Sequence, residues 1–180
     1  MEVKERDRKF ETIKKAYDNY YSSLVKEGKP LVRDTKVGIW GVSVSNNVYN
    51  FFKDIHLEKY DSFLDLGSGD GKVVLIASLF TKAVGIEFDK ELHDAAVGIK
   101  GELKLDCSLI HDDFFKYDWG KYDIIFINPD QGFHKGVEDK LLNELKGNLF
   151  VYNFVFEPRF LKKGKKYWYD QTPITVYSNK

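Results

Sequence analysis

Ser62-Phe63-Leu64-Asp65-Leu66-Gly67-Ser68-Gly69-Asp70-Gly71-Lys72 reads as a strand that runs through a glycine turn into a helix. The apolar run bounded by polar residues is the pattern of a buried strand. Glycine then recurs at alternate positions, and Val73-Val74-Leu75-Ile76-Ala77 resumes as the apolar face of a helix. Open α/β sheets use this unit to cradle a ligand at the carboxyl edge of the strand. The glycines let backbone approach backbone, or a ligand, where a Cβ would collide.

The charge of the turn narrows the ligand. A dinucleotide site would follow Gly-x-Gly-x-x-Gly and aim a helix N-terminus at a pyrophosphate. Here the spacing is Gly-x-Gly-x-Gly, and Lys72 stands where the third glycine would fall. Asp65 and Asp70 flank the turn, and two carboxylates would repel a pyrophosphate. They suit a ligand bearing an ammonium or a sulfonium, and S-adenosylmethionine carries both. Lys82-Ala83-Val84-Gly85-Ile86-Glu87 reads as a second strand ending in an acid, with Phe88 next. Glu87 follows Asp65 at about the twenty residues expected of a ribose-binding carboxylate. Leu109-Ile110-His111-Asp112-Asp113-Phe114 is a strand end followed by acids and an aromatic. Asp112 or Asp113 can accept from an adenine amino group and Phe114 can cover a base face, Asp113 being the one beside Phe114. Tyr122 to Ile127 is a fourth strand, running into the polar loop Asn128-Pro129-Asp130.

In this order the elements resemble the class I S-adenosylmethionine-dependent methyltransferases, over roughly residues 40–178. The resemblance implies a three-layer, Rossmann-like α/β fold with a mostly parallel seven-stranded sheet and an antiparallel last hairpin. It implies S-adenosylmethionine as the cofactor, held by Asp65, Gly67, Ser68, Gly69, Asp70, Gly71, Glu87, Phe88, Asp112, Asp113, Phe114 and Asn128. Methyl transfer from a sulfonium is a direct displacement with a neutral leaving group, so alignment and water exclusion are the enzyme's main contributions.

Two resemblances bear on the acceptor. Asn128-Pro129-Asp130-Gln131 partly resembles the Asn/Asp-Pro-Pro-aromatic loop of enzymes that methylate exocyclic amino groups of bases or glutamine amides. In those enzymes the Asn side chain and the following backbone carbonyl accept from the target nitrogen. Here Asp130 replaces the second proline, Gln131 the aromatic, and Phe133 comes two places on. More of the chain is similar to the small archaeal protein-lysine methyltransferases and their mitochondrial relatives. Asp65 to Gly71 match their Asp-Leu-Gly-Ser-Gly-Asp-Gly loop without change, and Val84-Gly85-Ile86-Glu87 matches their next strand end. Gly41-Val42-Ser43 is similar to a Val-Pro-Thr-like segment without its proline. Leu141 to Phe156 with Pro158 is similar to their Leu-rich helix, apolar strand and Phe-x-x-Pro-like turn. This second resemblance implies a protein substrate with a lysine acceptor, ranked ahead of a nucleic-acid base, with a cofactor-binding module without catalysis as a third reading. Asn128 is then the candidate catalytic residue, facing the acceptor nitrogen, and Trp40, Pro129, Phe133 and Phe156 are candidate channel walls.

Composition sets the remaining bounds. The 180 residues are 43% hydrophobic and 31% charged with a formal net charge of zero, so nothing global favours nucleic acid. One methyltransferase domain over residues 1–180 is expected: an N-terminal helix (1–29), a connector and helix (30–60), and a catalytic core (61–180). Cys107 is the only cysteine, which excludes an intrachain disulfide and favours a cytoplasmic setting. No apolar run reaches membrane-spanning length, and the charged start lacks the apolar region of a signal peptide. The four histidines have no ligand-like spacing, so no metal site is expected.

Along the chain, Phe10, Ile13, Tyr17 and Leu24 predict a helix over residues 3–27 that either packs on the domain or forms a docking or lid element. Residues 31–42 read as a connector whose Trp40 is either core or a wall of the cofactor cleft. Ser43 or Ser45 is expected to cap the next helix. Further helices are expected over 90–100 and 134–146, strands over 103–110 and 148–156, and a closing pair over 166–169 and 174–177. The basic run from Arg159 to Lys166 is either a solvated edge or a phosphate contact.

Overall fold

The computed structural model describes residues 2–179 apart from Lys135 and Phe154. Its centre is a seven-stranded sheet of β3 (Ser62–Leu66), β4 (Lys82–Glu87), β5 (Ser108–His111), β6 (Ile124–Ile127), β7 (Asn148–Tyr152), β8 (Lys162–Tyr169) and β9 (Thr172–Ser178). The order is β5-β4-β3-β6-β7-β9-β8. The first five strands are parallel, and β9 runs antiparallel to both β7 and β8. This is the expected mostly parallel sheet with an antiparallel last hairpin.

Alternation along the central strands fills both faces. Phe63, Ile124, Phe126 and Phe150 point into one apolar cluster with Phe10, Ile13 and Tyr17 of α1 (Val3–Lys26), Val48, Phe51 and Phe52 of α2 (Ser45–Asp54), and Val74 of α3 (Lys72–Ala77). Ile99 of α4 (Lys90–Leu103) joins the same cluster. Leu64, Leu66, Ile125, Ile127, Leu149 and Val151 point to the other face, against Leu141 of α5 (Val137–Glu144) and against Trp119 in the turn before β6. Burial on both sides is why these strands read as nearly continuous apolar runs.

Several expected boundaries move. Residues 31–42 contain a small antiparallel hairpin, β1 (Val32–Asp34) with β2 (Ile39–Gly41). Neither Ser43 nor Ser45 caps α2; Val44 holds the N-cap position and no side chain bonds there. Helix α4 extends to Leu103, so β5 begins only at Ser108. The expected helix over 134–146 is shortened to Val137–Glu144, with Lys135 outside the described residues. The expected strand over 148–156 stops at Tyr152, because Asn153 turns the chain at φ +88°; Phe154 lies outside the described residues. The closing strands are longer than expected: most of the basic run lies in β8, and Pro173 lies within β9, opposite Trp168.

Candidate active site

The chain runs outward through β3, β4 and β5, then returns to the far side of β3 as β6. The crevice between β3 and β6 is therefore a topological switch point, where open α/β sheets bind ligands. A cleft of about 610 Å³ opens at this edge. Its lining includes Asp65 to Asp70, Glu87, Phe88, Asp113 to Phe115, and Asn128 to Phe133, with the β1–β2 hairpin contributing Thr35 to Gly41.

The glycine turn is anchored and covered. The N–H groups of Gly67 and Ser68 both donate to the Ile86 carbonyl, at 3.0 Å each, tying the turn to the end of β4. Gly69 has φ +55°, and a Cβ there would lie 2.8 Å from Trp40 Cδ1. Trp40 is thus both core and cleft wall: it is buried, lines the cleft and lies on the turn. Gly85 is needed for the same packing, since a Cβ on it would meet Val74 and the Ser68 side chain.

Three acids converge at the turn with different partners. The Asp65 side chain is buried and makes no hydrogen bond among the described residues. Burial drives its carboxyl well above the usual carboxylate range, and Glu87 and Asp70 push the same way. Glu87 accepts from the Gly69 N–H at 2.7 Å and the Asp89 N–H at 2.6 Å. Burial still leaves its carboxyl raised, although those N–H groups oppose it. Asp70 faces helix α1: it accepts from the Tyr21 hydroxyl at 2.5 Å and from the Lys72 N–H at 3.3 Å. Asp70 also lines the cleft, so its carboxylate both anchors α1 and stays a candidate partner of a ligand ammonium.

The remaining sites separate as well. Asp113 and Phe114 line the cleft, whereas Asp112 is turned outward. Asp112 accepts from Lys116 Nζ at 2.6 Å and the Tyr117 hydroxyl at 3.2 Å, and Lys116 holds its carboxyl below the usual range. Of the two acids proposed for an adenine amino group, only Asp113 lines the cleft. Phe88 lines the cleft while remaining largely exposed. Asn128, Pro129 and Phe133 line the cleft. Phe156 does not; it packs against the apolar cluster on the α5 face, because the strand ends before reaching it.

Several residues that support the site from behind or at its rim went unread in the sequence. The Tyr17 hydroxyl donates to the Asp70 carbonyl at 2.8 Å. Lys72 is fully buried, donates to the Ser43 carbonyl, and lies 4.6 Å over the Tyr21 ring. Burial lowers its pKa to about 8, against the opposing pull of Asp70 and Asp18. Asp130 accepts from the Ile39 N–H at 2.5 Å, tying the hairpin to the loop after β6. The one available signal was Lys72 in the third-glycine position.

The residues present fit S-adenosylmethionine. Asp65 is a buried carboxylate that lacks a cation and faces the cleft, as a ligand ammonium requires. Gly69 offers a surface that no side chain could line without displacing Trp40. Glu87 has its carboxylate at the end of β4, where ribose hydroxyls are held. When bound, the cofactor supplies a methyl group on a sulfonium; Asp65 and Glu87 would hold its two ends while Trp40 and Phe133 keep water from the crevice. Among the described residues no group of acids, histidines and cysteines could hold a metal ion, and no helix is long and apolar enough to cross a membrane.

Comparison with known proteins agrees with this geometry. An RNA methyltransferase from Salinibacter ruber, in complex with S-adenosyl-L-homocysteine, is 19% identical with a TM-score of 0.60, over 76% of this chain and 93% of that one. A ribosomal protein L11 methylase from Lactobacillus delbrueckii subsp. bulgaricus is 15% identical with a TM-score of 0.59, over 75% and 78%. A putative methyltransferase from Escherichia coli is 16% identical with a TM-score of 0.57, over 74% and 82%. At these identities the likeness is one of fold. No curated protein matches the sequence. The family described as histone methylation protein DOT1 matches residues 34–173. The chain belongs to this DOT1 histone methylation family and is an S-adenosylmethionine-dependent methyltransferase of the class I fold.

Proposed function

We propose that the chain methylates lysine side chains of a protein. The observation that carries this reading is the family match over residues 34–173, whose description names histone methylation and hence a protein acceptor. The resemblance of Asp65 to Gly71 and Val84 to Glu87 to small protein-lysine methyltransferases supports it. So does the apolar character of the crevice, where Trp40, Phe115, Phe133 and Val137 contribute walls. A lysine amine attacks only when neutral, and its pKa falls from about 10.4 when it enters apolar surroundings. In the transfer a bond forms between Nε and the methyl carbon, the sulfur–methyl bond breaks with its electron pair going to sulfur, and Nε sheds a proton to water. The chain's contribution is to align these atoms and exclude solvent.

The test is incubation of the purified protein with tritiated S-adenosylmethionine and cell extract. The label is expected to survive nuclease, disappear with protease, and appear as methyl-lysine after acid hydrolysis. Nuclease-sensitive label would make a nucleic-acid base the acceptor. Clear cofactor binding with no labelled product would reduce the chain to a binding module.

A further inference from the structure

Asn153 is the residue that ends β7, and every polar group it carries on its amide and side chain is engaged. Its backbone N–H donates to the Pro173 carbonyl of β9 at 2.9 Å. Its side-chain oxygen accepts from the Val155 N–H at 2.9 Å. Its side-chain nitrogen donates to the Asn128 side-chain oxygen at 2.8 Å and to the Pro129 carbonyl at 3.2 Å. The Val155 contact assigns the carboxamide: with oxygen toward an N–H, the NH₂ must face the two oxygens. The backbone stands at φ +88°, a left-handed conformation that asparagine tolerates better than most residues.

The two oxygens so held belong to the Asn128-Pro129 loop, and on its partial resemblance to the Asn-Pro loops described above they are the pair that would meet an acceptor nitrogen. Asn128 and Pro129 line the cleft, and Asn153 is not among the lining residues. Each carbonyl oxygen has two lone pairs, and the bond from Asn153 uses one. A neutral lysine amine has two N–H bonds and one lone pair. If two fixed oxygens take the N–H bonds, the lone pair has one direction left. Methyl transfer depends on that direction, because the attacking pair must lie in line with the bond that breaks.

We propose that Asn153 is a positioning residue for methyl transfer, holding Asn128 Oδ1 and the Pro129 carbonyl as a rigid pair that orients the acceptor amine. This rests on the reading above that Asn128 faces the acceptor nitrogen. Asparagine is specifically suited to the role. Aspartate could still accept from Val155 but would present an oxygen to two oxygens. Glycine would keep the backbone conformation and leave the pair unheld.

The experiment compares wild type, Asn128→Ala, Asn153→Gly, Asn153→Asp and the Asn128→Ala/Asn153→Gly double variant. The rate of tritiated methyl transfer to extract protein is measured at saturating S-adenosylmethionine and increasing extract. Cofactor affinity is measured by calorimetry, and folding by the thermal midpoint. Asn153→Gly and Asn153→Asp are each expected to lower the saturating rate roughly tenfold, with cofactor Kd within about twofold of wild type. The double variant is expected to lose clearly less than the product of the two single losses, since Asn153 acts in part through Asn128 and residues acting through one another do not add. A merely structural residue would lower the midpoint and multiply its loss into that of Asn128→Ala, which overturns the proposal. A wild-type rate in Asn153→Gly with a loss in Asn128→Ala also overturns it and leaves the assignment of Asn128 standing. A wild-type rate in Asn128→Ala overturns that assignment and the proposal together.

Discussion

Asp65 shows how a candidate binding residue can cost the free protein stability. It sits on the central strand, buried, with Glu87 and Asp70 as like-charged neighbours. Its carboxyl is raised well above the ordinary value of 3.8. For an acid whose pKa is higher folded than unfolded, the stabilising contribution is complete below the unfolded value. It is lost as pH rises through the folded one. At neutral pH the free protein therefore carries the penalty, and Asp65→Asn removes it. We expect Asp65→Asn to melt higher than wild type at pH 7, by about 2–4 °C for each kcal/mol relieved. The gap should narrow toward pH 4, while cofactor affinity should fall because a neutral amide replaces the charge proposed to face the ammonium. Calorimetric melts across that pH range, with titrations of S-adenosylmethionine, check both halves. A lower midpoint for the variant at pH 7 would mean that Asp65 is not under strain.

At the scale of elements, helix α1 backs the glycine turn and the β1–β2 hairpin walls the cleft from outside the sheet. Tyr17 and Tyr21 of α1 grip both the carbonyl and the carboxylate of Asp70, and Lys72 lies beneath Tyr21. Lys72 has a pKa lowered by burial to about 8. For a lysine depressed in the folded state, the stabilising contribution is present above the unfolded value of 10.5 and is lost as pH falls through about 8. Wild type should gain stability relative to Lys72→Met as pH rises from about 8 to 10.5. Urea midpoints of the two proteins across that range measure it, and parallel curves would show that Lys72 does not titrate there. How much of this was legible differs by element. The place of the glycine turn, Glu87 and the Asn128 loop at the cleft was readable because each is a local run at the end of a strand. The grip of α1 on Asp70 joins residues about fifty apart, and the hairpin has only three residues per strand. Neither leaves a periodic signal. Asn153 escaped for a related reason: a strand reading of 148–156 assumed that the apolar run continued, and a single left-handed asparagine ended it.

For the molecule as a whole, charge and sheet topology select among ligands that share a fold. Lys162, Lys163, Lys165 and Lys166 lie on β8, the edge strand, away from the cleft at the β3–β6 crevice. Charges on an edge strand protect it from pairing with another chain, and Glu157 already pairs with Lys163 and Lys166. The field at the cleft is set instead by Asp65, Asp70 and Glu87, which favours a cationic ligand over a pyrophosphate. Ligand binding to the folded state alone stabilises it by about 2.7 kcal/mol at a hundredfold excess over Kd. For a chain of this size that corresponds to a rise in thermal midpoint of roughly 5–10 °C. We expect S-adenosylmethionine to produce such a shift and NAD, at the same concentration, to produce none. The shift should largely vanish in Asp65→Asn, because Asp65 is the one of the three acids whose side chain has no hydrogen-bond donor among the described residues. An equal shift with NAD, or a full shift retained in the variant, would mean that the acids around the glycine turn do not choose the ligand.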